Sequence, residues 1–104
     1  MAEVIWTEPA LSDLDAIADY IALENPAAAR KMVRRIFKHL GQLTDHPLSG
    51  SLPSELEGGR YRQIVEPPCR IFYRHEPDRV YILHVMRSER RLKRSKLIRK
   101  ADDE

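Results

Sequence analysis

Arginines are the residues of this sequence best suited to chemistry. Six of them lie on or beside three apolar segments in the second half of the chain: Arg60, Arg62, Arg70, Arg74, Arg87 and Arg90. A guanidinium can hold a phosphate or carboxylate through two parallel hydrogen bonds. It stays protonated in proteins and cannot serve as a general base. The arginines therefore predict a surface that grips an anion or, alternatively, surface charges that only keep a small sheet soluble.

His84 is the titratable residue that could turn such a surface into an acid–base site. It lies within the apolar run "VYILHVM", where a histidine is more often a hydrogen-bonded core residue than a catalyst. The other histidines are scattered, and Cys69, the single cysteine, has no partner at ligand spacing. Cys69 is better explained as a small strand residue. The sequence predicts no metal site, no cofactor and no phosphate loop.

Positive charge is concentrated at the end of the chain. Residues 1–86 carry twelve acids and ten bases, whereas residues 87–104 carry eight bases and four acids. The bases of this basic segment are Arg87, Arg90, Arg91, Lys93, Arg94, Lys96, Arg99 and Lys100. Such asymmetry indicates an anionic partner or a solvated tail. We expect a partner for the first bases of the segment and a solvated tail for Lys96–Lys100.

The first half of the chain predicts a strand followed by two helices. "EVIWT" is β-branched and aromatic, as in a strand, and Thr7 is placed to cap a helix whose apolar stripe runs from Leu11 to Ile21. Asn25 and Pro26 form a strong start signal for a second helix. Its bases lie opposite its apolar stripe and predict a solvated face: Arg30, Lys31, Arg34, Arg35 and Lys38.

The second half predicts the sheet on which this helical hairpin packs. After the loop "LSGSLPSELEGG" come three strand-like segments, "RYRQIVE", "CRIFYR" and "RVYILHVM". Pro67 and Pro68 must interrupt the first of them, since neither can donate to a strand ladder. The last is almost continuously apolar, which predicts a central strand covered on both faces. The fold class is therefore α+β, with the hairpin packed on a small, mainly antiparallel sheet of three to four strands.

Length and composition indicate a single domain, residues 1–104, with the basic segment at 87–104. No apolar run approaches the roughly 18 residues of a membrane span, and "MAEVIWTEPA" lacks the features of a secretory signal. With one cysteine and no export signal, a cytoplasmic protein is expected.

Several segments, in this order, carry a resemblance to a known family. They are "A-x-x-D-L-x-x-I-x-x-Y-I-A" from Ala10 to Ala22, "NPAAA", "HPLSG", "CRIFYR" and "VYILHVMRSERRL". Together they resemble the RelE/ParE superfamily of bacterial type II toxins, over nearly the whole chain up to about Leu92. The resemblance implies a toxin that is neutralised by a small cognate antitoxin, with which it forms a hetero-oligomer; a homodimer is the alternative.

The two sides of this superfamily imply different functions. Members on the RelE side are ribosome-dependent ribonucleases that cleave messenger RNA, and members on the ParE side poison DNA gyrase. On the RelE pattern the ribonuclease site would comprise Arg62, Arg70, His84, Arg87 and Arg90. However, no tyrosine follows Tyr81, and the set offers charge without an evident base. The first helix and "CRIFYR" look more like the ParE side. We therefore expect a gyrase inhibitor without catalytic residues, with the ribonuclease as the alternative and a polyanion-binding adaptor as the second alternative.

Two sets of contact residues follow from this interpretation. The target-binding set is Arg87, Arg90, Arg91, Lys93 and Arg94. The antitoxin-binding set consists of aromatic residues that so small a sheet cannot easily bury: Trp6, Tyr20, Phe37, Tyr61 and Tyr73. The expected target is DNA gyrase or, in the alternative, the ribosome and its message.

Overall fold

The order of elements in the structure is the predicted one. The computed structural model describes residues 1–56, 58–90 and 92. Its elements are β1 (Glu3–Trp6), α1 (Glu8–Ala22), α2 (Pro26–Gly41), a 3₁₀ turn (Gln42–Thr44), β2 (Tyr61–Glu66), β3 (Cys69–Glu76) and β4 (Arg79–Arg87). The strands form one sheet in the order β1-β4-β3-β2, in which β1 runs parallel to β4 and the other pairs are antiparallel. The predicted α+β class is confirmed.

Both helices begin at the predicted caps. The Thr7 hydroxyl oxygen accepts from the backbone N–H of Ala10 at 3.4 Å, and the Asn25 side chain accepts from that of Ala28 at 3.0 Å. The Thr7 hydroxyl also donates to the Ile82 carbonyl at 2.7 Å. The start of α1 is thereby fastened to the middle of β4. No described helix has the length and apolar character that crossing a membrane requires.

β4 is one of the two central strands, with β1 on one side and β3 on the other. On one face of the sheet its side chains join the core beneath the helices, and on the other they join a smaller apolar cluster. The first set includes Val80, Ile82 and Val85 of β4 with Met32, Ile36 and Leu40 of α2; the second is Leu56, Phe72, Leu83, Met86 and Leu92. Both faces of β4 are therefore covered, as its apolar run predicts.

The edge of β4 that pairs with β1 has a different neighbour in the second half of the strand. β1 ends at Trp6, opposite Ile82, and β4 carries one extra residue near Leu83, where its register with β3 shifts. Beyond Ile82, within the described residues, α1 rather than a strand lies beside this edge. The backbone N–H of Val85 donates to the Asp13 carboxylate at 3.2 Å. A groove results between α1 and the end of β4.

Candidate functional site: the groove between α1 and β4

The groove between α1 and β4 has a volume of about 890 Å³. Helix α1 contributes one wall, and β4 with the turn after it contributes the other. Its lining residues are Asp13, Ala16, Ile17, Tyr20, His84, Val85, Met86, Arg87, Glu89 and Arg90. An apolar floor with charged groups at its rim is typical of a binding site.

His84 and Asp13 form a hydrogen-bonded pair at one end of the groove. The His84 Nδ1 lies 2.7 Å from the Asp13 carboxylate, and its ring stacks on Phe72 with 6.0 Å between ring centroids. The His84 side chain is 11% exposed. Carboxylate and aromatic ring together fix the orientation of the imidazole. Such a pair can link α1 to β4, and it has the chemical groups of an acid–base dyad.

Arg87 and Tyr20 meet across the groove. The Arg87 guanidinium lies 5.8 Å from the centroid of the Tyr20 ring and donates to Glu89 at 2.8 Å. Tyr20 is 64% exposed although it is a large aromatic residue. A hydrogen bond from the backbone and the nearby Arg87 and Arg90 charges hold the pKa of Glu89 below its usual value. The structure thus joins a residue of the expected target-binding set to one of the expected antitoxin-binding set.

A second cluster, the Glu55 clamp, fixes the chain just after β4. Both carboxylate oxygens of Glu55 accept from the Arg70 guanidinium at 2.8 Å, and one also accepts from the backbone N–H of Leu92 at 3.2 Å. Arg70 further donates to the Arg90 carbonyl at 3.2 Å, and Leu92 is only 4% exposed. The start of the basic segment is therefore tied to the sheet.

The Glu55 clamp predicts a stability that falls in acid. The hydrogen bonds from Arg70 lower the pKa of Glu55 from 4.5 to about 2, against the opposing effect of burial. Because the folded pKa is the lower one, the clamp contributes fully above pH 4.5 and its contribution is lost as the pH falls toward 2. At pH 7 we expect Glu55→Gln to lower the free energy of unfolding by about 3 kcal/mol, and by little near pH 2. Urea denaturation of both proteins between pH 7 and pH 2 measures this difference; a difference independent of pH would contradict it.

Arg62 is also engaged in holding the fold. Its guanidinium donates to the Leu48 and Gly50 carbonyls at 3.2 and 2.8 Å. Neither Arg62 nor Arg70 is among the residues that line the groove. The five residues expected for a ribonuclease site therefore fall into two groups, with His84, Arg87 and Arg90 in the groove and the other two in structural contacts.

The aromatic residues expected to bind antitoxin do not share one surface. Tyr73 is fully buried, which removes it from any contact surface: its ring belongs to the core, and its hydroxyl bonds the loop before β2. Trp6 and Phe37 pack together with ring centroids 4.7 Å apart, and Tyr61 adjoins the cluster on the opposite face of the sheet. Only Tyr20 of the set lines the groove. Arg91, Lys93 and Arg94 of the target-binding set lie outside the described residues.

Three acidic residues of these clusters, Asp13, Glu55 and Glu89, were not predicted as site residues. Asp13 belongs to the helical segment "A-x-x-D-L", which showed it only as a charge near the start of a helix. Glu55 lies in a loop without periodicity, where the sequence gives no signal for its partner. Cys69 is a fully buried strand residue, and burial raises the pKa of its thiol to about 11, which disfavours the reactive thiolate. Among the described residues, no group of His, Cys, Asp or Glu is arranged to hold a metal ion.

The family comparison covers most of the chain. Residues 4–92 match the family described as the ParE toxin of the type II toxin–antitoxin system parDE. Toxin RelE2 of Caulobacter vibrioides is 35% identical over 91 residues, covering 86% of this chain and 99% of that protein. The putative toxin Y4kP of Sinorhizobium fredii is 38% identical over 81 residues, covering 78% and 82% of the two chains.

A solved structure shares both the fold and the sequence. A chain of the chromosomal ParDE toxin–antitoxin system from P. aeruginosa superposes with a TM-score of 0.70 and 31% identity, over 86% of this chain and 98% of that one. Three findings indicate the same family: the fold of two helices on a four-stranded sheet, the family match over nearly the whole described chain, and this structural likeness. The chain belongs to the ParE toxin family and is the toxin component of a type II toxin–antitoxin system.

Proposed function

We propose that this toxin inhibits DNA gyrase by direct binding and that its α1–β4 groove, with the arginines at its rim, is the contact surface. The observation that carries the proposal is the engagement of Arg62 and Arg70 in structural contacts. Arg70 is bound to the Glu55 carboxylate and Arg62 to two backbone carbonyls. A ribonuclease would need such cations at the scissile phosphate. The arginines left at the groove make a binding surface rather than an assembled phosphate-cleaving site.

The charge and shape of the groove suit an anionic protein surface. Arg87 and Arg90 stand at its rim, Tyr20 exposes an amphipathic ring, and Ala16 and Ile17 add apolar area. Tyrosine and arginine are the residue types that most often dominate binding energy at protein interfaces. Rim charges would speed the encounter with gyrase and fix the orientation of the toxin on it.

The cognate antitoxin implied by the family would cover the same groove. The edge of β4 beyond Ile82 has α1 as its neighbour, and a partner segment that extends along it can pair with backbone groups there while its side chains meet Tyr20. An acidic segment would also be attracted by Arg90, whereas Arg87 already donates to Glu89 within the toxin. In this proposal the antitoxin and gyrase compete for one surface, which explains neutralisation without a change in the toxin's fold.

A direct assay tests the proposed target. Purified toxin is added to gyrase that is supercoiling relaxed plasmid, and separately to ribosomes translating a labelled message. We expect inhibited supercoiling and an uncut message, because the groove binds but does not cleave. Cleaved message with normal supercoiling would instead support the RelE-like ribonuclease.

The ribonuclease is the second candidate because His84 is paired with Asp13 beside Arg87 and because one relative is named Toxin RelE2. His84→Gln tests it while keeping a polar side chain next to Asp13. We expect the variant to inhibit gyrase within about twofold of wild type, since His84 would have no proton to transfer. If His84 were the general base of a ribonuclease, its loss would instead reduce cleavage of the message by about a hundredfold or more. Such a loss, with an unchanged melting temperature, would favour the ribonuclease.

A further inference from the structure

The exposed face of α2 carries only positive charge. Residues Pro26–Gly41 contain no aspartate or glutamate, and all five lysines and arginines of the helix are exposed: Arg30, Lys31, Arg34, Arg35 and Lys38. They stand opposite Met32, Ile36 and Leu40, which are at most 1% exposed and face the core. At the angular steps of an α-helix the five bases occupy one continuous strip, here named the α2 basic face.

This arrangement is unfavourable for the helix itself. Arg30–Arg34, Arg34–Lys38 and Lys31–Arg35 are like charges four residues apart, a spacing at which they repel. A solvated face would be served as well by alternating acids and bases, which attract at the same spacing. Within the described part of the chain, Arg35 is the base of the strip that has acidic and carbonyl partners, at 3.7 Å from Glu66 and 3.3 Å from the Pro67 carbonyl. The repulsion in the rest of the strip is the kind that an anionic ligand would relieve.

We propose that the α2 basic face binds the phosphate backbone of duplex DNA, independently of the α1–β4 groove. None of the residues that line the groove belongs to α2. From Arg30 to Lys38 the strip is about 12 Å long, and its bases repeat at steps of about 6 Å along a rigid axis. Duplex DNA presents about one negative charge per 1.7 Å, and its major groove, about 12 Å wide, admits an α-helix between two rows of phosphates.

The chemistry of the strip favours DNA backbone over an acidic protein segment. Protein ligands of a helix face are held by apolar anchors. The five bases are interleaved with no exposed large apolar side chain except Phe37, at 42%, which packs on Trp6. Long cationic side chains without anchors make the sequence-independent, salt-sensitive contacts typical of phosphate binding.

A binding assay with DNA alone tests this inference separately from gyrase inhibition. Fluorescence anisotropy follows the full-length toxin on a labelled 20-bp duplex of arbitrary sequence, over a series of salt concentrations. The test variant is Arg30→Gln/Arg34→Gln/Lys38→Gln, which keeps good helix formers at each position. The control, Lys96→Gln/Arg99→Gln/Lys100→Gln, removes the same charge from the basic segment. We expect the test variant to bind at least about tenfold more weakly and to lose about 3 from the slope of log K against log salt.

The melting temperature, the control variant and competing ligands show whether the α2 basic face is the DNA-binding site. The melting temperature of the test variant should not fall, because neutralisation removes like-charge neighbours from α2. Equal losses in both variants, or a loss only in the control, would overturn the α2 site in favour of general charge or the tail. Stronger binding to a 20-bp RNA duplex, or displacement of DNA by polyglutamate at equal charge concentration, would overturn DNA as the ligand.

Discussion

Replacing Arg87, Arg90 and Arg91 by glutamate is expected to abolish growth arrest in cells that produce this toxin. Arg87 and Arg90 line the α1–β4 groove, and Arg91 follows them in the sequence. The substitution adds three negative charges to the stretch of sequence that contains Glu89, and under the proposed function it would replace attraction for an anionic target by repulsion. Losing a charge at a desolvated interface costs about 2–5 kcal/mol, so if the toxin inhibits gyrase as proposed, we expect the inhibitory concentration to rise more than about a hundredfold. Colony counts after induction and supercoiling assays measure the two effects.

The matched control reverses the same number of charges further along the segment, in Lys96→Glu/Arg99→Glu/Lys100→Glu. If these later bases form a solvated tail, this variant stays toxic. Thermal melting shows whether either variant has lost its fold, since Arg90 also offers its carbonyl to Arg70. A folded Arg87→Glu/Arg90→Glu/Arg91→Glu variant that still arrests growth would exclude these arginines from the target contact.

The fold could be predicted because its strongest determinants are local. The caps at Thr7 and Asn25 are side-chain contacts across three residues, and the sequence contains both partners of each. The run "RVYILHVM" is apolar on both faces, a property of central strands that needs no knowledge of the neighbours. The extra residue near Leu83 left no such signal, because it is set by the fit between β3 and β4.

The site could be predicted only in part, because its contacts join residues far apart in the chain. Asp13 and His84 are 71 positions apart, and they meet because β1 stops at Trp6 and leaves the end of β4 beside α1. Arg87 and Arg90 were expected in the site because they follow the apolar run "RVYILHVM" in the sequence. Tyr20 was identified by its size, but its contact with Arg87 depends on the packing of the helix against the sheet.

Some charged and aromatic side chains have a role that the sequence did not predict: they form hydrogen bonds with backbone groups of the loop between α2 and β2. That loop has little regular structure, so its buried carbonyls and N–H groups must be satisfied by side chains. Arg62 and Tyr73 serve this purpose at Leu48, Gly50 and Pro47. As residue types, Arg62 suggested phosphate binding and Tyr73 suggested an exposed apolar surface. Their positions are instead determined by the hydrogen bonds that they supply to the backbone of the loop.

The contact between this loop and Tyr73 explains why the "HPLSG" segment ends in glycine. The substitution Gly50→Ala is therefore expected to have the largest effect on stability. A Cβ added at Gly50 would lie 2.6 Å from the Tyr73 hydroxyl and 2.7 Å from the Gln63 carbonyl oxygen. The Tyr73 ring is in the core and cannot swing away, because its hydroxyl donates to Pro47 at 2.8 Å and accepts from the Gly50 N–H at 2.9 Å. Burial raises the pKa of Tyr73, which keeps the hydroxyl protonated for that donation.

Overpacking and a displaced hydrogen bond together predict that Gly50→Ala lowers the free energy of unfolding by about 2–4 kcal/mol. For a domain of this size that corresponds to a melting temperature lower by about 10–25 °C. Gly41→Ala is the matched control: its Cβ would meet nothing within 4 Å, and it would replace glycine in the last turn of α2. We expect that control to gain up to about 1 kcal/mol in free energy of unfolding.

Combining Gly50→Ala with Tyr73→Phe removes the nearest clashing atom, so the double variant should lose less stability than the sum of the single losses. Additive losses would show that Gly50 is required for some reason other than its contact with the tyrosine hydroxyl.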